Sequence, residues 1–388
     1  MRVLFLATAV PPRAGSAESG VLRLATALAG QGATVRVIAP TLEDDAADER
    51  IGDVVIERFR VPAQSDVARA VRLIEHAPSS HVFRPRPLAL LKLLGAEFVT
   101  AVRSRRDFEP DVVHAIQCFP DGLVGTWVGS LASVPVVTTV TESDLRLARR
   151  VAASRPTLRH VLRRSAGVTA TSSVAAVELA RLLSLPQPTV VPLPARHAEH
   201  DGDASRRTDR LLCHVPGGSA GWAQVVLEAL AATRTRVAID VVGDAEVREP
   251  LGRIATSLRI PDRVRWIGAP SPDALADLVS SAAAVIVADQ NGDAESLAAE
   301  ALLAETPVVA VGEGGIADML QHDRTGIRVR AGDPVGLAHA VDALLERPDR
   351  GASLGAAGRL HALATYAPES VARRLVRLYQ ETIGAPAS

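Results

Sequence analysis

Lysine is almost missing from this chain: Lys92 is the only one, and arginine carries nearly all the positive charge. Schiff-base or desolvated-amine catalysis is therefore not an expected chemistry. Cysteine is equally scarce. Cys118 and Cys213 are too few and too far apart for a disulfide framework, so burial must hold the core and a reducing, cytoplasmic setting is expected. Aromatic residues make up only 3% of the sequence, too few for stacking platforms along a polysaccharide or a single nucleic-acid strand. Neither sign of charge dominates, since 43 basic side chains face 44 acidic ones, so no global field attracts a polyanion and nucleic acid is not an expected partner. No apolar run is long enough to span a membrane. The run Val3 to Val10 ends in Pro11-Pro12 rather than at a small-residue cleavage site, and reads as a buried first strand instead of a signal peptide.

What remains is an α/β pattern. Short runs rich in Val, Ile and Leu alternate with longer Ala/Leu/Arg stretches of helical period, as expected for parallel sheets covered on both faces. With 388 residues, two domains are expected. Strands are predicted at Val3 to Ala9, Thr34 to Ala39, Val54 to Phe59, Val112 to Ala115, Val136 to Val140 and Gly167 to Thr171. Helices are predicted over Ser19 to Gln31 and Leu88 to Val102. Periodicity fails between Pro192 and Asp209, where a linker is expected, and Asp201-x-Asp203 is read as part of it rather than as a metal site. A second series follows, with strands at Leu211 to Val215, Val237 to Val242, Val264 to Ile267, Ala284 to Ala288 and Pro307 to Val311. The expected division is 1–192, a linker over 193–209, 210–367, and a final helix within 368–388 that packs back on the first domain. Two doubly wound halves of this kind present their strand ends to a cleft.

Two loops carry the strongest chemical signals. After Leu211 to Val215 come Gly217, Gly218, Ser219 and Gly221, followed by a helix, which is how backbone N–H groups and a helix N-terminus are offered to a phosphate. The lysine of a Walker A loop is missing, and Ala7 to Gly15 has no Gly-x-Gly for a dinucleotide. An ordinary tight turn is the alternative reading. The second loop, Asp289 to Asp293, leads into a helix bearing Glu295, Ser296 and Glu300, whose carboxylates suit the hydroxyls of a ribose or a sugar; for Glu295 a plain N-terminal helix charge is the competing reading. Arg146, Arg149, Arg150, Arg155, Arg159, Arg163 and Arg164 recur at helical spacing. They form either a solvated face or a surface for an anionic acceptor or membrane, so peripheral membrane contact stays open.

These pieces occur in an order that resembles glycosyltransferase family 4, of the GT-B fold. The likeness lies in Glu300-Ala301-Leu302-Leu303-Ala304-Glu305-Thr306-Pro307, Gly314-Gly315-Ile316, Thr325-Gly326, Gly332-Asp333-Pro334, Val241-Val242-Gly243-Asp244 and Asp262 to Gly268. In the first half it continues through Pro110 to Ala115, Pro120-Asp121-Gly122-Leu123 and Val134 to Val140. The resemblance implies two Rossmann-like doubly wound domains facing a central cleft, an N-terminal acceptor domain, a C-terminal nucleotide-sugar domain and metal-independent transfer, usually with retention. It places Glu300 on the ribose and Gly15, with Ser16 beside it, near the donor phosphates. The glycine loop, Gly217 to Gly221, is similar to that of the peptidoglycan GlcNAc transferases and stands where the family has an Arg and a Lys. The family's first glutamate, eight residues before Glu300, falls at Gly292, leaving Asp293 or Glu295 to contact the donor sugar. Where a histidine and glycine usually follow the acceptor-domain strand, Thr141-Glu142 stand instead. Glu142, Asp144 and Glu295 are the expected catalytic carboxylates, and Thr141, Glu142, Arg146 and Arg149 the expected acceptor contacts. A silent relative that only binds nucleotide or partner, or an enzyme of altered chemistry such as pseudo-glycosyl transfer, is the alternative. No resident cofactor is implied; the nucleotide sugar is substrate.

Overall fold

The computed structural model describes residues 1–8, 19–41, 48–60, 87–196, 207–215, 220–243, 245–288, 294–312, 316 and 319–384. The chain forms two compact units, Met1–Pro194 with Pro368–Ser388, and Ala195–Ala367.

The first unit is built from β1 (Arg2–Leu6), α1 (Gly20–Gly30), β2 (Thr34–Thr41), β3 (Glu49–Ile51), β4 (Val54–Arg60), α2 (Pro87–Phe108) and β5 (Val112–Ala115). It continues with α3 (Leu123–Ala132), β6 (Val136–Val140), α4 (Glu142–Arg150), α5 (Arg155–Arg164), β7 (Gly167–Ala170), α6 (Ser173–Leu183) and β8 (Thr189–Val190). Its sheet runs β3-β4-β2-β1-β5-β6-β7-β8, and only the β3–β4 pair is antiparallel. Alternation along β1 explains the layering. Val3 and Phe5 face α1 across one cluster, whereas Leu4 and Leu6 face α2 and α3 across another. Both faces are apolar, as a parallel sheet between two helix layers requires. Ser19 caps α1 by accepting from the Leu22 N–H, and Gln31 ends it, with Gly32 at φ +83 in the turn that follows.

The second unit contains β9 (Arg207–Val215), α7 (Ala220–Ala232), β10 (Ala238–Gly243), α8 (Ala245–Ser257), β11 (Val264–Gly268), α9 (Pro272–Ser281), β12 (Ala282–Ala288), α10 (Ala294–Leu303), β13 (Val308–Val311), β14 (Ile327–Val329), α11 (Pro334–Leu345) and α12 (Pro348–Thr365). Its sheet is wholly parallel, in the order β11-β10-β9-β12-β13-β14. Leu211, Cys213, Ile239 and Val241 pack with α7, α8 and α11, while Leu212, Val242, Val285 and Val287 pack with α9, α10 and α12.

Three strands escape the sequence pattern for a physical reason: β3, β8 and β14 have three, two and three residues, too short to show a period. Strand β9 starts at Arg207, inside the stretch expected to be linker, because its polar start Arg207-Thr208-Asp209-Arg210 pairs with β10 and β12. The helix expected over Leu88 to Val102 runs on to Phe108, whose ring lies under the Arg36 guanidinium at 4.6 Å.

The last helix, α13 (Pro368–Gly384), packs on the first unit through Val371, Ala372, Leu375 and Tyr379. The fully buried Tyr379 hydroxyl pairs with His114 Nδ1 at 2.5 Å, His114 Nε2 with Thr139 Oγ1 at 2.7 Å, and Thr139 with Thr169 at 2.7 Å. Burial lowers the His114 pKa to about 3, so the ring is neutral and uses one nitrogen as donor and the other as acceptor. This chain ties the C-terminal helix to three adjacent strands. Tyr379→Phe keeps the ring but strands one His114 nitrogen, and urea unfolding is expected to show a loss of about 1–3 kcal/mol; an unchanged midpoint would show that the pair adds nothing.

Candidate functional site

Strand order decides where a doubly wound sheet offers a crevice: at the point where successive crossovers turn from one side to the other. In the first unit the chain moves from β1 to β2 on one side and later to β5 on the other. In the second it moves from β9 to β10, then returns to β12 on the opposite flank of β9. The two switch points therefore lie beyond β1/β5 and beyond β9/β12.

At the second switch point α7 follows β9 and α10 follows β12, so two helix N-termini leave neighbouring strand ends. Glu295 and Ser296 occupy the first turn of α10 and Glu300 the next. Ser296 Oγ donates to Glu300 Oε1 at 3.3 Å, Glu295 and Glu300 are half-buried, and Ser296 is exposed. Their apolar neighbours Leu297, Ala298 and Ala299 face the core, which fixes the helix and leaves Ser296 exposed. Gly221 is exposed at the second position of α7, with open space where a side chain would stand. Gly15, Ser16, Gly217, Gly218, Ser219 and Asp293 lie outside the described residues, as do Asp201 and Asp203.

Gly243 is a feature of this edge that the sequence reading quoted without a role. A Cβ there would stand 2.0 Å from the Val215 carbonyl oxygen, so the end of β10 closes onto the end of β9 only because the side chain is missing.

The first switch point is filled by a buried polar network. Asp121 accepts from the Thr8 N–H at 3.1 Å and from the Thr8 hydroxyl at 2.6 Å, and Gln117 Nε2 donates to Thr8 Oγ1 at 2.9 Å. Burial pushes the Asp121 carboxyl up to about 7 against the hydrogen bonds from Thr8. Glu97 reaches toward it from α2, wholly buried, with the Asp121 carboxyl beside it. Burial, with the Asp121 charge beside it, holds the Glu97 carboxyl well above the ordinary range, which favours its protonated form. Nothing in the local sequence marks Glu97, because its partner is supplied by a distant strand end.

Next along the same edge, α4 begins at the end of β6. Asp144, expected as a catalytic carboxylate, is instead a structural one. It is 1% exposed and accepts from the backbone N–H groups of Cys118, Phe119 and Thr141 at 3.0, 3.1 and 3.0 Å, so no free lone pair faces a substrate. Burial raises its pKa to about 6 even so. Thr141 completes a capping box with it, which occupies the hydroxyl expected for the acceptor. Arg149, an expected acceptor contact, is paired with Glu178 of α6. Arg146 donates to Ser143 at 3.1 Å.

Glu142 is different. Its half-buried carboxylate accepts from the Thr171 hydroxyl at 3.0 Å and from the Ser172 hydroxyl, bridging the ends of β6 and β7. Ser172 also caps α6 through the Ala175 N–H. Thr171 and Ser172 were not foreseen as site residues, although a serine directly before a helical stretch is a readable N-cap. In the cluster of Glu142, Thr171 and Ser172 both hydroxyls are buried and donate to the half-buried carboxylate. Among the described residues no group of three His, Cys, Asp or Glu could hold a metal ion, and no helix is long and apolar enough to cross a membrane.

Two family models match: Glycosyl transferase 4-like domain over residues 15–196 and Glycosyl transferases group 1 over residues 218–361. The chain belongs to the group 1 glycosyltransferases. Curated relatives of this group 1 glycosyltransferase include the D-inositol 3-phosphate glycosyltransferase of Streptomyces scabiei, 30% identical over 185 residues, 46% of this chain and 39% of that protein. Another is the GDP-mannose-dependent alpha-(1-6)-phosphatidylinositol monomannoside mannosyltransferase of Mycobacterium tuberculosis, 32% identical over 162 residues, 39% of this chain and 42% of that protein. The alignments thus span about two fifths of these relatives' length. Among solved structures, the sucrose-phosphate synthase of Thermosynechococcus elongatus is similar at a TM-score of 0.73 and 19% identity, covering 99% of this chain and 100% of that one. Anabaena HepE in complex with UDP and glucose is similar at 0.68 and 17%, covering 98% and 100%. The fold is GT-B, an α/β architecture with two parallel sheets.

Gly243→Ala is expected to destabilise the second unit by more than about 1–2 kcal/mol in denaturant unfolding, since backbone rather than a flexible side chain must move. For Glu97 the sign follows from its raised pKa. The unfolded acid ionises near its usual 4.5 while the native one stays protonated, so its contribution to stability is complete below that pH and is lost as pH rises. Glu97→Gln should therefore gain on the parent as pH increases from 4 to 8, with a limiting slope of about 1.4 kcal/mol per pH unit. A gap that does not vary with pH would show that Glu97 is ionised in the native state.

Proposed function

We propose that the protein transfers a sugar from a nucleoside diphosphate sugar to a hydroxyl-bearing small-molecule or lipid acceptor, without a metal ion and with retention of configuration. The observation that carries this reading is the second switch point, where α10, bearing Glu295 and Glu300, and α7, which opens after the glycine stretch, follow neighbouring strands. In this reading Glu300 holds the ribose hydroxyls, Glu295 and Ser296 contact the transferred sugar, and Gly221 with the loop before it receives the diphosphate. Helix N-termini and main-chain N–H groups take the charge that an Arg and a Lys carry elsewhere in the family. The acceptor oxygen bonds to the anomeric carbon as the bond to the diphosphate breaks. Glu142 positions the acceptor hydroxyl, its own orientation held by Thr171 and Ser172. The UDP bound to Anabaena HepE and the inositol and phosphatidylinositol named for the curated relatives support a nucleotide donor and a polyol or lipid acceptor.

Thermal-shift binding of UDP, GDP, dTDP and ADP to the purified protein is the direct test, because a ligand of the native state raises its melting temperature. One diphosphate should stand out, and Glu300→Ala should weaken it by roughly tenfold, the effect of one charge-assisted hydrogen bond. Glu142→Gln should leave nucleotide affinity unchanged while lowering kcat by about 100-fold or more. Failure of all four nucleotides to shift the melting temperature would overturn the donor assignment.

A further inference from the structure

The first unit exposes apolar surface in one place more than elsewhere. Of the nine large hydrophobic side chains exposed among the described residues, five lie on α2 and α3: Leu88, Leu91, Val99, Trp127 and Leu131. Scattered single exposures are ordinary in folded proteins, but five on two touching helices are not scattered. The helices meet through Phe98 and Trp127, whose ring centroids are 6.0 Å apart, and both pack on the same face of the sheet. Leu88, Leu91 and Val99 recur on the outer face of α2 because Ala89, Leu93, Glu97 and Ala101 occupy the inner one.

Basic side chains adjoin this apolar surface. Arg164, at the end of α5, donates from Nη2 to Ser130 Oγ at 3.1 Å, beside Leu131. Helix α5 holds four arginines and a histidine and no acid, α3 holds no charge, and the only exposed acid on α2 is Asp107. Arg155, Arg159, His160, Arg163 and Arg164 line a shallow hollow of about 520 Å³. Lys92, Arg103, Arg106, Arg159, Arg163 and Arg164 have no acidic partner within 4.0 Å among the described residues, and Arg159 Nε is buried without a hydrogen-bond acceptor. Exposed leucines, a tryptophan and unpaired arginines on one helical layer combine the two attractions that hold a protein on charged lipid: apolar insertion and screening of headgroup charge.

We propose that the α2–α3–α5 face is a peripheral membrane-docking surface that binds anionic bilayers, with the α5 arginines on lipid phosphates and Trp127 and Leu131 at the acyl boundary. Docking of this kind does not require the donor assignment above, and it is measured without turnover.

Flotation of the full chain with phosphatidylcholine vesicles, with and without phosphatidylglycerol, tests it. Binding is expected only with the anionic lipid and should fall as salt rises. Arg159→Gln with Arg163→Gln should weaken partitioning by about 25-fold, taking roughly fivefold for each cation near the surface. Leu131→Ser should weaken it at unchanged salt dependence; Leu131 and Arg163 are exposed and Arg159 is half-buried, and an unaltered melting temperature confirms that the variants fold. Trp127 is more exposed than either Trp222 or Trp266, so brominated lipid should quench part of the emission, and Trp127→Phe should abolish that quenching. Absence of binding to anionic vesicles, equal binding to neutral ones, or binding indifferent to both variants would overturn the proposal. So would a dimer in ultracentrifugation that Leu131→Ser dissociates, which would give the patch to a second copy of the chain.

Discussion

The chemistry of this molecule depends on one topological constraint, the reversal of crossover direction beside β1 and again beside β9. A parallel sheet buried on both faces has no room for polar groups along its length, and its helices cover everything except the strand ends. Where crossovers turn away from one another, two helices leave adjacent strands in opposite directions and the backbone between them is open. Polar residues that would be costly elsewhere are tolerated there. In both units the loops rich in Gly, Ser, Thr, Asp and Glu follow the carboxyl ends of the strands.

The two switch points are used differently. In the first unit the crevice is closed by Thr8, Gln117, Asp121 and Glu97, a network of buried polar groups that fixes the exit of β1. Such a network resists deformation because each buried group left without a partner is costly. Hydroxyls and the half-buried Glu142 carboxylate stand one strand further along, at β6 and β7. In the second unit the carboxylates of α10 stand half-buried over a core of alanine and leucine. Asp144 and Glu142, two residues apart on one helix, show how sharply position divides roles. One satisfies three backbone N–H groups in the interior, and the other reaches two hydroxyls at the rim.

Arginine usage separates along the same lines. Arg149 is paired with Glu178 and Arg155 donates to the Ala148 carbonyl, both within the helical layer. Arg159 and Arg163 have no acidic partner within 4.0 Å among the described residues, and neither α5 nor its neighbour α3 contains an acid. A sequence with near-zero net charge thus carries a strongly basic region, and its partners are set by local charge rather than by the total.

The sequence by itself determined the class of fold, the positions of most strands and the family. These are local properties: periodicity, caps and turn residues act over a few neighbours, and they survive in one dimension. Tertiary structure alone decided that Asp144 is an internal ligand of backbone amides, that Arg149 is spent on Glu178, and that Glu97 meets Asp121. It also decided that Gly243 must lack a side chain because of Val215, and that His114 joins Tyr379 from 265 residues away. Each of these depends on two segments brought together by strand order. Whether a carboxylate is a base, a cap or a neutral acid is set by desolvation and by the donors around it, which no single stretch of sequence contains.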